Sequence, residues 1–361
     1  MSDPIWDKGD ATVDERIMRF LAGDDIVLDR ELFPYDIAAS KAHVRGLERI
    51  GVLTEDERDD LIEALDRLGE AFVSGEFALD ERFEDMHSAI ESYLVDQLGD
   101  VGRKVHTGRS RNDQVLVATR LYLKDTLSQL VGGCRAIAKV CLDRAAADDA
   151  PMPGYTHLQR AVPSSTGMWF AGFAEAFIDD ASIAGQTRAV IDANPLGTAA
   201  GYGVNLPLDR DGVTDELGFD RLQLNPIYAQ NSRGKFEFQA LVALAQALLD
   251  VRRLAWDLSL FTTAEFGFVE LPDRFTTGSS IMPNKKNPDV VELLRASYAT
   301  VQGAMAELQS LLSLPSGYQR DLQATKAPLL RAMRRGLDAL AITCELLGEM
   351  QFDEERMREA I

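Results

Sequence analysis

The chain has 361 residues, 46% of them hydrophobic, which is enough for two or three domains around a sizeable core. Its 58 acidic and 38 basic residues give a net charge of −20, a balance that repels nucleic acid and anionic membranes, and no apolar run is long enough to span a bilayer. The opening Met1-Ser2-Asp3-Pro4 lacks the basic and apolar stretches of a secretory signal, and Cys134, Cys141 and Cys344 have no metal-ligand spacing, so buried thiols in a cytoplasmic protein are expected.

Strand signals are scarce and helical periodicity dominates, which predicts an all-α chain. Residues 1–100 read as a smaller helical N-terminal domain of short, charged pieces. In one of these, Thr54 and Glu57 stand at capping-box spacing. Residues 101–350 read as a central bundle of long helices carrying the functional loops. Helices are expected over 110–131, after Pro163, over 235–266 and from Pro288 to about Leu314, with Pro315 as the stop. The apolar residues of 235–266 cover most helix faces, which places that helix inside the bundle. In 351–361, Asp353 caps a helix still in mid-pattern at Ile361, so these residues are expected to start a C-terminal helical domain that lies beyond the sequence. The intervening loops are 105–114, 151–163, 194–206 and 276–288.

Those loops hold basic residues that an acidic chain makes conspicuous: Arg103, Lys104, Arg109 and Arg111, then Lys285 and Lys286, then Arg320 and Lys326. They read either as solvated helix ends or as places for an anionic ligand. In Thr277-Gly-Ser-Ser-Ile-Met-Pro-Asn-Lys-Lys-Asn-Pro-Asp289, Asn287 reads as an N-cap and Pro288 as the first helical residue. A helix start and a glycine-serine loop suit an anion, although a capped interhelical loop has the same pattern. A serine there acts as a base only with help from a neighbour such as Lys285. Pro153-Gly-Tyr-Thr-His-Leu-Gln-Arg160 sets His157 among polar residues, where it is either structural or a proton carrier. His106-Thr-Gly-Arg-Ser-Arg-Asn-Asp-Gln114 offers arginine forks for carboxylates at a helix start. Gly201-x-Gly203 lacks a third glycine and a preceding strand, which argues against a dinucleotide site.

Taken together these segments resemble the fumarase/aspartase superfamily, whose shared motif GSSIMPNKKNPD is similar to. HTGRSRNDQ, GYTHLQRA, DIVLDREL, FEDMHSAIE, FGFVELPD and LPSGYQRDLQATK resemble its argininosuccinate lyase family, in the right order along nearly the whole chain. The resemblance implies a fumarase/aspartase-like long helical bundle, assembled as a homotetramer whose active sites are shared between subunits. It implies elimination of fumarate from argininosuccinate, the last step of arginine biosynthesis, with no metal and no cofactor. Ser279 is then the base, Lys285 and Asn287 hold the carboxylate that becomes an aci-carboxylate, and His157, oriented by Glu292, assists beside Thr156. Asp29, Arg111, Asn112, Arg233, Tyr318, Gln323 and Lys326 match the family's substrate contacts.

Asp25 stands where the family usually has a serine, and the stretch from Asn225 to Lys235 departs from the usual pattern at Pro226, Tyr228 and Gly234. These changes imply altered contacts to the amino-acid end of the substrate, with Asp25 taking part. Two other readings fit the same fold. One is a lyase for another N-substituted aspartate such as adenylosuccinate, which would normally carry a different loop in place of TGRSRNDQ. The other is a non-catalytic structural protein, which the presence of Ser279, His157 and Lys285 disfavours.

Overall fold

The computed structural model of the chain describes residues 16–17, 20, 23–80, 82–278, 281–282 and 285–361. These are predominantly helical, as the periodicity predicts. The principal helices are α1 (Asp25–Arg49), α2 (Glu55–Ser74), α3 (Met86–Leu98), α4 (Arg111–Ala147), α5 (Thr166–Ile191), α6 (Lys235–Phe261), α7 (Asp289–Leu311) and α8 (Lys326–Glu349). No helix among the described residues is long and apolar enough to cross a membrane. The chain forms two compact units, the first from residues up to 124 with 189–237 and 310–330, the second from 125–188, 238–309 and 331–361.

In the first unit, α2 begins at the expected capping box: Thr54 Oγ1 accepts from the Glu57 N–H at 3.2 Å and Glu57 returns the bond at 3.0 Å. Leu61, Leu65 and Leu68, at helical spacing, are fully buried with Leu32, Phe33 and Leu47 of α1. Phe33 lies 4.6 Å from the ring of Phe72. Ala39, Ala42, Val117, Leu196, Val213 and Phe219 build a second apolar cluster. α3 starts at another reciprocal cap, Asp85 with Ser88, which fixes where Glu84, Asp85 and His87 sit.

In the second unit Leu244, Leu248, Val251, Leu254 and Leu258 of α6 are fully buried, so this helix is interior as expected. Gly336 of α8 approaches it so closely that an added Cβ would stand 2.5 Å from Leu244 Cδ1. Cys134 and Cys141 are buried thiols, whereas Cys344 is half-buried.

Four sequence expectations need correction. The helix expected over 110–131 runs on to Ala147 through Gly132 and Gly133. At Gly133 the cost of about 1 kcal/mol is offset by close packing against Leu340. The helix expected to reach 266 stops at Phe261, where the Thr262 and Thr263 hydroxyls donate to the carbonyls of Leu258 and Leu260. Asn287 pairs with Thr277 in a two-residue ladder, and the Pro288 carbonyl accepts the first helical bond, from Glu292 N at 3.1 Å. Pro288 is thus the N-cap of α7 and Asn287 lies one residue outside it. The supposed loop 151–163 is an antiparallel hairpin of β1 (Pro151–Thr156) and β2 (Gln159–Ser165). Its prolines are compatible with that because each strand of a two-stranded ribbon is an edge.

Candidate active site

A cavity of about 460 Å³ opens in the first unit. The start of α1 supplies Asp25 and Asp29, four residues apart and therefore on one face. The start of α4 supplies Arg111 and Asn112, the turn before α6 supplies Arg233, and the segment leading into α8 supplies Tyr318, Gln323 and Lys326. The structure thus gathers into one cavity all the expected substrate contacts except Asn287.

The lining is charged, and Asp25, Asp29, His87, Arg109, Arg233 and Lys326 in it are buried. Lys326 Nζ bridges the two aspartates, 2.7 Å from Asp29 Oδ1 and 3.0 Å from Asp25 Oδ1. Gln323 Nε2 donates to Asp25 Oδ2 at 3.0 Å, and the N–H of Met86 donates to Asp29 Oδ2 at 3.0 Å. Burial acts to lower the Lys326 pKa, but Asp29 and Asp25 hold it above its ordinary value. Asp29 is fully buried, and that burial keeps its carboxyl above the usual range despite Lys326. Asp25 is therefore already engaged by two neighbours. Tyr228, another departure, is not in the lining; its hydroxyl accepts from Lys235 Nζ at 3.3 Å.

Arg111 lies 2.8 Å from Glu84 and 3.1 Å from Asp85. Arg233 contrasts with it. Its side chain is 4% exposed, and among the described residues it makes no hydrogen bond or ion pair. A buried guanidinium without a bonded partner at a cavity wall can receive a carboxylate in a forked pair.

Glu84, Asp85, His87, His106, Arg109 and Arg320 also line the cavity. Arg109 and Arg320 were visible as basic clusters. His87 was visible only within a resembling motif, and the capping signal Asp85-x-x-Ser88 could have placed it. His87 Nδ1 lies 2.7 Å from Asp36 Oδ2. Burial works to lower its pKa, but Asp36, Asp85 and Asp29 hold it raised. Burial and the charge of Arg109 push His106 the other way, to about 4.

The residues expected to do the chemistry belong to the second unit. Ser279 lies outside the described residues. Thr277–Gly278 pairs antiparallel with Lys286–Asn287 at the base of its loop, and Lys286 Nζ is fixed 2.7 Å from Asp273. Thr277 Oγ1 donates to the Asp289 carboxylate. Lys285 is exposed. Thr156 and His157 are exposed at the end of the β1–β2 hairpin, where a two-residue loop joins Thr156 to Gln159. Both loop residues have positive φ, 56° at His157 and 57° at Leu158, as a type I′ turn demands. Glu292 is exposed in the first turn of α7, 3.7 Å from Arg295, and no hydrogen bond joins it to His157 among the described residues. No group of three or more metal-ligating side chains is arranged to hold an ion among the described residues.

A family model described as "Lyase" matches residues 10–303. Argininosuccinate lyases from Stenotrophomonas maltophilia (strain R551-3) and Xanthomonas oryzae pv. oryzae (strain PXO99A) are each 59% identical over 362 aligned residues, covering 100% of this chain and 84% of theirs. Among solved structures, an EDDS lyase variant with bound fumarate aligns with a TM-score of 0.82 at 27% identity, covering 97% of this chain and 69% of that one. A class II fumarase from Schistosoma mansoni aligns with a TM-score of 0.79 at 17% identity, covering 95% and 82%, a likeness of fold.

Proposed function

The chain belongs to the argininosuccinate lyases of the lyase family, and we propose the course by which its residues carry the β-elimination of argininosuccinate to arginine and fumarate. The single observation that supports this course best is the cavity. It offers Arg111 and Arg233 to carboxylates, and Asp25, Asp29, Glu84 and Asp85 to the cationic groups of the amino-acid end.

The difficulty of the reaction is a carbon-bound proton that is hardly acidic. Ser279 Oγ takes that proton from the carbon next to a succinyl carboxylate. Charge moves into the carboxylate, where Lys285, Asn287 and the N-terminal end of α7 stabilise it as it develops. The carbon–nitrogen bond then breaks, its electron pair stays with nitrogen, and a proton delivered there completes arginine. The pair left on carbon forms the double bond of fumarate. Thr156 and His157 act beside the same carboxylate, with Glu292 balancing the imidazole. Purified protein given argininosuccinate is expected to raise the ultraviolet absorbance of fumarate with release of equimolar arginine. Absence of that signal, alongside cleavage of adenylosuccinate, would move the chain to the other substrate.

The active enzyme is a cytoplasmic homotetramer with sites assembled from several subunits. Two observations support the sharing: among the described residues no hydrogen bond joins Glu292 to His157, and the residues of the cavity and of the chemical loops are divided between the two compact units. Inactive His157→Asn and Ser279→Ala proteins, dissociated together and reassembled, are then expected to regain part of the activity. Mixed tetramers verified by mass yet wholly inactive would place each site in one chain.

A further inference from the structure

Arg233 owes its place to the three-residue turn Ser232-Arg233-Gly234, which links the Pro226–Asn231 helix to α6. The turn is anchored on both sides of the arginine. Ser232 is fully buried, and its hydroxyl uses all its capacity: it donates to the Ala229 carbonyl at 2.7 Å and accepts from Gln223 Nε2 at 3.0 Å and Arg120 Nη2 at 3.3 Å. Gly234 has φ +79°, and its N–H donates to Glu237 Oε2 at 2.7 Å. A Cβ there would stand 2.3 Å from Leu312 Cδ2, so no other residue fits without a shift.

The deepest of these anchors is Arg120. It is 2% exposed, is absent from the cavity lining, and donates from Nη1 to the carbonyls of Ile191 and Ala193 at 3.2 Å each. Its guanidinium lies 4.1 Å from the centre of the Phe236 ring. An arginine buried so completely is costly, and its bonds converge on the end of α5, the Ser232 turn and the first turn of α6.

We propose that Arg120 is a positioning residue for the elimination: through Ser232, and opposite Glu237 across the turn, it fixes the backbone that holds the Arg233 guanidinium unpaired at the cavity wall. This rests on the reading that Arg233 meets a substrate carboxylate. Arg120 touches no substrate, so its influence on binding passes entirely through Arg233.

A double-mutant cycle tests the coupling, with KM, kcat and melting temperature measured for each protein. Arg233→Met is expected to raise KM for argininosuccinate about 100-fold, the loss of a charge-assisted fork. Arg120→Lys keeps the charge and loses the fork, and is expected to raise KM roughly tenfold with a smaller change in kcat. Ser232→Ala removes one hydroxyl and is expected to raise KM about threefold, and it serves if Arg120→Lys does not fold. In the Arg233→Met background neither change should raise KM further. An unchanged KM in both single variants, or the same rise with and without Arg233, overturns the positioning role alone. An unchanged KM in Arg233→Met overturns the contact with substrate as well.

Discussion

Ser279→Ala is expected to lower turnover on argininosuccinate about a thousandfold or more, while the dissociation constant for substrate stays within a few fold. The expectation rests on the surroundings of the loop that carries the serine. Its two ends are tied by the Thr277–Gly278 and Lys286–Asn287 ladder, and the Lys286–Asp273 bridge pins one of them. α7 starts two residues after Asn287, so its positive end is at hand for a developing anion. In the proposed course this arrangement is expected to stabilise an alkoxide and an aci-carboxylate without adding to ground-state affinity. Single-turnover fumarate formation, with substrate binding followed by calorimetry, separates the two quantities. Turnover comparable with the unmutated enzyme removes Ser279 from the role, and a matching loss in Ser280→Ala transfers it by one position.

Lys326→Met is the second large effect. It leaves the buried carboxylates of Asp25 and Asp29 without their shared cation, and breaking a buried pair in this way costs about 3–5 kcal/mol. KM is expected to rise by more than a hundredfold and the midpoint of denaturation to fall. The pH dependence has a definite sign. The Lys326 pKa is raised on folding, so its contribution is complete at neutral pH and fades only as pH rises through the folded value. The Asp29 pKa is raised as well, so the penalty of its ionised form disappears as pH falls through that value. The mutant should therefore lie nearest the unmutated protein in mild acid and furthest above neutrality. Asp29→Asn added to Lys326→Met should recover much of the stability. Equal denaturation midpoints for Lys326→Met and the unmutated protein at pH 8 would show that the bridge is not what holds the two carboxylates.

Much of this architecture is legible in the residues, because helices announce themselves locally. The three- and four-residue spacing of Leu244, Leu248, Val251, Leu254 and Leu258 is a property of one segment, and so are the caps at Thr54 and Asp353. The basic residues of the cavity stood out for a related reason: Arg109, Arg111, Arg320 and Lys326 are conspicuous in a chain of net charge −20. What stayed hidden depends on contacts between distant segments. Nothing local says that Gly132 and Gly133 continue a helix, or that Pro153 and Pro163 face each other across a ribbon. Arg120 reads as one more helical cation, and only the carbonyls of Ile191 and Ala193 reveal it as an anchor. Asp25 reads as a contact for substrate, and its bonds to Gln323 and Lys326 are visible only in the structure.

The hairpin tip has a bearing on how this protein would respond to selection. His157 and Leu158 occupy left-handed backbone, which costs a side-chain-bearing residue about 1–2 kcal/mol at each position, and an Asn-Gly pair would relieve both. A mutant library screened for heat tolerance alone would therefore drift toward asparagine and glycine at these two places, shedding the imidazole while the rest of the fold improved. Any programme to toughen this scaffold has to score each round on product formed, because one of the two residues such a screen would replace is His157, the proposed assistant in the elimination.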